Sequence, residues 1–278
     1  LRAVPSVVVT GASSGIGEAT ARALAERGFD VLAGVRQDAD AERVSALHER
    51  IRPVRVDVSD RASVEALPGA VGDAPLAGLI NNAGISVSGP LEFVPIDEWR
   101  RQLEVNVVGQ VAVTQALLPA LRGAHGRIVF IGSVGGKVAA PLLGPYNASK
   151  FALEGIADSL RRELAPLKVG VSIVEPGAVA TRIWEKGTAA ADETLANAPP
   201  EAEQIYGPTI AAIRRQVERA VREAIPPEEV AKAVVHAVTA EKPRARYPVG
   251  SDAKQRIRAS GLLPDRAFDA LMARMMRA

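Results

Sequence analysis

The run Val7-Val8-Val9-Thr10-Gly11-Ala12-Ser13-Ser14-Gly15-Ile16-Gly17 decides the fold of this chain. Three consecutive valines are what a buried parallel strand looks like. Gly11, Gly15 and Gly17 then interrupt the chain. From Glu18 to Arg27 the apolar residues, together with Ile16, fall near helical spacing. A strand, a glycine turn and a helix in that order place unpaired helix N–H groups and a positive dipole end at the turn, where a phosphate group can approach the backbone closely. The spacing Gly-x-x-x-Gly-x-Gly differs from the usual Gly-x-Gly-x-x-Gly. No Lys-Ser/Thr follows Gly17, so this is not the lysine-bearing phosphate loop.

Outward from this turn, apolar runs alternate with helical patterns. Strands are expected at 6–10, 30–35, 53–57, 77–81, 127–132, 169–174 and 246–249. Helices are expected near 15–27, 39–49, 60–67, 96–121, 146–165 and 227–240. Such alternation predicts an α/β fold, a doubly wound parallel sheet with helices on both faces. No repeat or linker divides the 278 residues, so a single domain is expected over 1–278. The stretch 183–226 reads as sparse, with an amphipathic segment near 201–224. A second amphipathic segment occupies the tail from about 251 to 278, where Leu263, Phe268, Leu271, Met272, Met275 and Met276 mix with arginines. This tail fits self-packing, a subunit interface or a membrane surface.

Composition excludes several classes. With 34 Lys+Arg against 32 Asp+Glu, there is no nucleic-acid footprint. The absence of cysteine removes disulfides and thiolate metal sites, and His48, His125 and His236 are far apart, so no metal site is expected. There is no apolar stretch of about 20 residues for a membrane span, and no signal-peptide pattern. The expectation is a soluble cytoplasmic protein.

Pro145-Tyr146-Asn147-Ala148-Ser149-Lys150 carries the chemistry. In a helix, Tyr146 and Lys150 share one face. A free phenol has a pKa of about 10 and a nearby ammonium is expected to lower it, giving an acid–base group for carbonyl–alcohol interconversion. Tyr-x-x-x-Lys alone is common by chance; the other motifs give it weight.

Those motifs, in order, are the glycine turn, Asp57-Val58, Asn81-Asn82-Ala83-Gly84, Asn106 within Val105 to Gly109, Ser133 after Ile131-Gly132, Tyr146 with Lys150, and Pro176-Gly177 with Thr181. Together they resemble the short-chain dehydrogenase/reductase family, of the non-extended type, over roughly residues 5 to 182. The segments around Gly34-Val35-Arg36, Arg246 to Gly250 and Leu263 to Arg266 look like its hydroxysteroid and retinol dehydrogenase branch and related bacterial ketoreductases. The resemblance implies a Rossmann fold with seven strands in the order 3-2-1-4-5-6-7. It implies Tyr146 as general acid or base, Lys150 lowering its pKa and bonding the nicotinamide ribose, Ser133 donating to the substrate oxygen, and Asn106 holding a water beside Lys150. It also implies that Gly11, Ser13, Ser14, Gly15, Ile16 and Gly17 cradle the cofactor phosphates. Asp57 and Val58 would contact the adenine, and Asn82, Ala83 and Gly84 the adenosine ribose. Pro176, Gly177, Val179 and Thr181 would flank the nicotinamide and diphosphate.

The end of the second strand bears on the choice of cofactor. It carries Arg36 and no carboxylate, and Arg36 can pair with a 2′-phosphate while Ser13 adds a hydroxyl. NADP(H) is therefore favoured, with NAD(H) the alternative because Asp38 and Asp40 follow closely. Val134, Val138, Ala140, Leu143 and Trp184 are expected to line a pocket for a hydrophobic ketone or secondary alcohol; ordinary core packing is the competing reading for each. The family precedent makes 183–226 a substrate lid and predicts a homodimer or homotetramer through the two long helices. Loss of Ser, Tyr or Lys would have pointed to a cofactor-bound sensor; all three are present.

Overall fold

The computed structural model describes residues 4–277, with side chains through Arg274, so Met275 and Met276 of the tail lie outside the described side chains. Seven parallel strands form one sheet in the order β3-β2-β1-β4-β5-β6-β7. In chain order, β1 (Ser6–Val9) leads to α1 (Gly15–Ala25), β2 (Asp30–Val35) to α2 (Asp38–Ser45), and β3 (Ile51–Arg55) to the short α3 (Arg61–Glu65) and α4 (Leu67–Val71). After β4 (Leu76–Asn81) come α5 (Ile96–Leu103), a π-turn at Glu104–Val108 and α6 (Gly109–Ala124). Next are β5 (Arg127–Ile131), a 3₁₀ turn at Val134–Gly136, α7 (Gly144–Leu164) and β6 (Gly170–Pro176). Then follow α8 (Ile183–Ala196), α9 (Glu201–Arg222), α10 (Pro227–Thr239), β7 (Arg246–Val249), α11 (Ser251–Leu262) and α12 (Asp265–Arg277).

The valines of β1 show how the sheet sorts its layers. Val7 and Val9 pack with α1 and α10 on one face, through Leu24, Val230, Val234 and Val238. Val8 faces the other way, into the core that holds Leu79, Val113, Leu117 and, from α7, Leu153. Side chains alternate across a strand, so a strand covered on both faces is apolar at every position.

The structure departs from the sequence expectations in three places. The third strand is Ile51–Arg55, two residues earlier than expected, and Pro53 is accommodated because β3 is the edge strand and pairs only with β2. Asp57 thus lies beyond the strand, where its carboxylate accepts from Ser59 N at 3.0 Å and Ser59 Oγ at 2.6 Å and turns the chain. The stretch 183–226 is not sparse: α8 and α9 fill most of it. Its alanines favour helix, and Gly187 is buried, with Ser86 and Ser88 Oγ each 3.7 Å from the position of a Cβ there.

The third departure is the π-turn, which divides the helix expected at 96–121. Buried polar residues Gln102, Asn106, Gln110 and Thr114 recur every four positions along it. Four residues overshoot a 3.6-residue turn by about 40°, so such a row drifts around a regular helix. A wider turn offsets part of that drift and keeps the row on one face. At the same place Gly109 packs on the main chain of Val58, where a Cβ would lie 2.5 Å from the carbonyl oxygen. Gly109→Ala is expected to cost about 1–3 kcal/mol through overpacking, read as a lower urea midpoint with an unchanged m-value.

Candidate active site

The expected site residues converge on the carboxyl edge of the sheet. Gly11 lies two residues past β1, Arg36 follows β2, Asn82 follows β4, Ser133 lies two residues past β5, and Pro176 ends β6. Beyond Asn81 the chain leaves the sheet, and its backbone polar groups need other partners. The polar row of α5, the π-turn and α6 supplies them. Asn81 Nδ2 donates to Thr114 Oγ1 at 2.8 Å, and Gln110 Nε2 donates to Ala83 O at 2.9 Å. Asn106 Oδ1 accepts from Ile85 N at 2.8 Å while its Nδ2 donates to Ile85 O at 3.0 Å. Gln102 Oε1 accepts from Val87 N at 2.7 Å. Every second residue of 81–87 thus meets every fourth residue of 114–102. Two extended residues advance about 6.6 Å and four helical ones about 6 Å, so the two rows stay in step.

Asn106 is bound into this ladder. Its Nδ2 also donates to Ser149 Oγ at 3.1 Å, so both amide protons are used within the protein. Asn106 holds the segment after β4 against α7. Sequence reading missed Gln102, Gln110 and Thr114, although polar residues at four-residue intervals in an apolar helical pattern were a visible signal.

Tyr146 and Lys150 share a face of α7, as expected. Lys150 is buried and its Nζ donates to Ile131 O, the last residue of β5, at 2.8 Å; it lies 5.7 Å from the centre of the Tyr146 ring. Burial lowers the Lys150 pKa to about 8. Burial raises the Tyr146 phenol, with the Ser133 hydroxyl opposing as a hydrogen-bond partner. The direction is thus opposite to that expected from Lys150: burial dominates, and the opposing group is Ser133. Ser133 Oγ also accepts from Gly135 N at 3.0 Å, so it caps the 3₁₀ turn as well as facing the phenol. A Cβ at Gly135 would lie 3.3 Å from Tyr146 Cε1 and 3.4 Å from Ser133 Oγ, which places the turn against the ring edge.

The glycine turn has the form of a phosphate cradle. Gly11 and Gly15 have φ of +63° and +57°, and side chains there would press within 2.9 Å of Ala83 Cα and Thr181 Cγ2. Gly17 packs on Gly11 O, and Asn82 Nδ2 donates to Thr10 O and Gly11 O, each at 2.9 Å. Ser14 gives α1 no side-chain cap, which leaves first-turn N–H groups for an anion. Thr10, absent from the expected site, accepts from Asn82 N and Ala83 N at 3.0 Å and ties β1 to this segment. Arg43 of α2, also unforeseen, donates to Ser13 O and pairs with Glu18 at 2.5 Å. Arg36 is exposed, and its charge adds to the Ser59 hydrogen bond in lowering the Asp57 carboxyl.

The expected pocket residues are not alike. Val138 is buried, whereas Val134, Ala140, Leu143 and Trp184 are half-buried. Trp184 Nε1 donates to Val179 O at 2.7 Å, fixing the start of α8 to the turn after β6. Among the described residues, no helix is long and apolar enough to cross a membrane, and no three His, Cys, Asp or Glu side chains group as metal ligands.

Residues 5–192 match the family model for short chain dehydrogenases. The chain belongs to that family. Retinol dehydrogenase 5 of Mus musculus is 38% identical over 277 residues, covering 96% of this chain and 87% of that protein. An NADPH-dependent 3-dehydrocapnine reductase of Ornithobacterium rhinotracheale is 36% identical over 274 residues, covering 95% and 94%. A short chain dehydrogenase/reductase of Burkholderia phymatum in complex with NAD superposes with a TM-score of 0.78 at 28% identity, covering 93% of each chain. Like its family, the protein is an oxidoreductase that uses a nicotinamide cofactor.

Lys150 gives a test by linkage. Its folded pKa of about 8 lies below the ordinary value of 10.5. Between those values the unfolded chain binds more protons, so stability rises with pH. Urea unfolding is expected to show a gain on the order of 1–3 kcal/mol from pH 8 to pH 10, and Lys150→Met is expected to abolish it. Above pH 10 the raised Tyr146 pKa acts in the opposite sense.

Proposed function

We propose that this protein is an NADP(H)-dependent carbonyl reductase or alcohol dehydrogenase for a hydrophobic ketone or secondary alcohol. The observation that carries the reading is the meeting of Ser133, Tyr146 and Lys150 at the end of β5, beside the uncapped glycine turn. When bound, the nicotinamide cofactor supplies or accepts the hydride. In the reductive direction, the phenol of Tyr146 passes a proton to the substrate oxygen, while Ser133 Oγ donates a hydrogen bond that stabilises developing negative charge. The raised Tyr146 pKa keeps the phenol protonated near neutrality, which suits an acid. Lys150 holds the nicotinamide ribose, and Asn106, tied to α7 through Ser149, holds a water beside Lys150 in the proton relay.

The remaining cofactor contacts follow the family pattern. Gly11, Ser13, Ser14, Gly15, Ile16 and Gly17 hold the phosphates with Thr181. Asp57 and Val58 border the adenine, Asn82, Ala83 and Gly84 the ribose, and Pro176, Gly177 and Val179 the nicotinamide side. Support for NADP(H) comes from the exposed guanidinium of Arg36 at the end of β2. The two competing carboxylates face other arginines: Asp38 lies 3.8 Å from Arg55, and Asp40 lies 3.7 Å from Arg43.

Substrate enters between the turn after β5 and the helical pair α8–α9, which serves as the lid. Trp184 anchors its start, and Tyr206 of α9 reaches Glu92 at 2.8 Å across the opening. Val134, Ala140 and Leu143 offer apolar surface there. Homo-oligomerisation uses the outward faces of α6 and α7, where Val111, Leu118, Ile156 and Leu160 line a shallow apolar groove.

Steady-state oxidation of NADPH and NADH is measured against ketones ranging from small aliphatic to steroid and against retinal. Tyr146→Phe is expected to lower kcat by a factor on the order of 10² to 10⁴ while NADPH fluorescence titration shows unchanged binding; retained turnover would refute the mechanism. Arg36→Ala is expected to weaken NADPH binding by about 10- to 100-fold, matching loss of a charge-assisted contact, and to leave NADH binding nearly unchanged. Equal weakening of both cofactors would remove Arg36 as the source of preference.

A further inference from the structure

Behind the Ser133 turn lies a charge cluster, built on two buried carboxylates, that the chemistry above does not use. Lys137, the residue that follows the turn, places Nζ 2.7 Å from Glu154 Oε2 and 3.8 Å from Glu175 Oε1. Glu154 lies one helical turn beyond Lys150, and Glu175 precedes Pro176-Gly177 at the end of β6; their side chains are 8% and 2% exposed. Arg246, which opens β7, reaches Glu154 at 3.1 Å, Glu175 at 3.6 Å and Asp158 at 3.0 Å. A carboxylate charge buried as deeply as Glu154 or Glu175 carries a large desolvation penalty, which only close pairing offsets.

The cluster bears on the site through the backbone. Gly136 lies flush on α7, where a Cβ would sit 2.8 Å from Lys150 O and 3.4 Å from Glu154 Cγ. Gly136 N donates to Ser133 O, and Lys137 N and Val138 N both donate to Val134 O, all at 2.9 Å. Lys137 is therefore the one charged handle on a tight turn that carries Ser133 at its other end. Its partners stand on the helix that carries Tyr146 and Lys150 and on the strand that leads to Gly177.

We propose that Lys137, Glu154, Glu175 and Arg246 are positioning residues: the ion pairs of Lys137 and Arg246 with Glu154, closed over a neutral Glu175, clamp the Ser133–Lys137 turn onto α7 and the end of β6, and so set the Ser133 hydroxyl against the Tyr146 phenol. The inference rests on the reading that Ser133 and Tyr146 perform the chemistry. Two carboxylates here cannot both ionise freely. Burial first, and then the neighbouring Glu154, push Glu175 up to about 7. Lys137 faces the pair from the turn, Asp158 with its partners Arg161 and Arg162 from α7, and Arg246 from β7. On α11, Asp252 bonds Ala178 N at 3.0 Å. Ionisation of Glu175 adds a second buried anion beside Glu154, which Lys137 and Arg246 only partly offset, and this loosens the clamp.

The test uses the full chain with NADPH bound. In Lys137→Met, amide hydrogen exchange of residues 135–138 is expected to quicken by about tenfold or more, while the protection of β5 and the NADPH affinity stay unchanged. With the ketone that the wild type reduces best, kcat is expected to fall by about tenfold to a hundredfold, and Lys137→Arg is expected to restore both readouts. In Glu175→Gln, which keeps the neutral partner, the decline in kcat as pH rises through about 7 is expected to disappear. Unchanged exchange at 135–138 in a folded Lys137→Met variant would overturn the proposal. If that variant does not fold, a Glu175→Gln profile identical to wild type overturns it. Absence of turnover with every ketone in the wild type would refute the oxidoreductase reading, while the exchange experiment still decides whether the clamp exists.

Discussion

A strand that runs past the edge of its sheet loses its hydrogen-bonding neighbours, and the site depends on how this chain resolves that loss after β4. The ladder from Gln102, Asn106, Gln110 and Thr114 replaces the missing strand with side-chain amides and a hydroxyl. These groups are buried, so their bonds form in surroundings where an unpaired polar group is costly. The same ladder reaches across to Ser149, whose hydroxyl donates to Tyr146 O at 2.7 Å. One polar row thus fixes both the segment that faces the glycine turn and the helix that carries Tyr146 and Lys150.

Electrostatics at the site runs against stability. Lys150 gives up hydration and receives a main-chain acceptor, Ile131 O, in return. Its lowered pKa records that this exchange is incomplete. Tyr146 shows the same effect with the opposite sign, since for a phenol the charged form is the deprotonated one. Both groups are therefore biased toward their neutral forms in the protein alone, with Lys150 still largely protonated at pH 7.

The outer helices are fastened to the end of β6 rather than packed into the central core. Trp184 bonds Val179 O, Ile225 exchanges main-chain bonds with Ala178 and Ala180, and Asp252 caps Ala178 N. A Cβ at Gly177 would fall 2.1 Å from the Asp252 carboxylate, so glycine is required for that close approach. The turn after β6 is thereby the junction between the sheet and the segments 183–226 and 251–277.

Sequence alone determined the doubly wound sheet, its strand order through the family resemblance, and the placement of Tyr146, Lys150, Ser133 and the glycine turn at one edge. These features are local or periodic: apolar runs, glycines at a turn and residues four apart in a helix all register within short windows. Tertiary structure decided the rest. The role of Asn106 depended on its partners Ile85 and Ser149, which lie 21 and 43 residues away. The π-turn answered a drift that arises only when a polar row must track an extended segment. The direction of the Tyr146 pKa followed from burial, which no four-residue spacing encodes. The cluster of Lys137, Glu154, Glu175 and Arg246 joins residues from four elements. In sequence each is an isolated charge; only folding removes the water that would otherwise make their pairing unimportant.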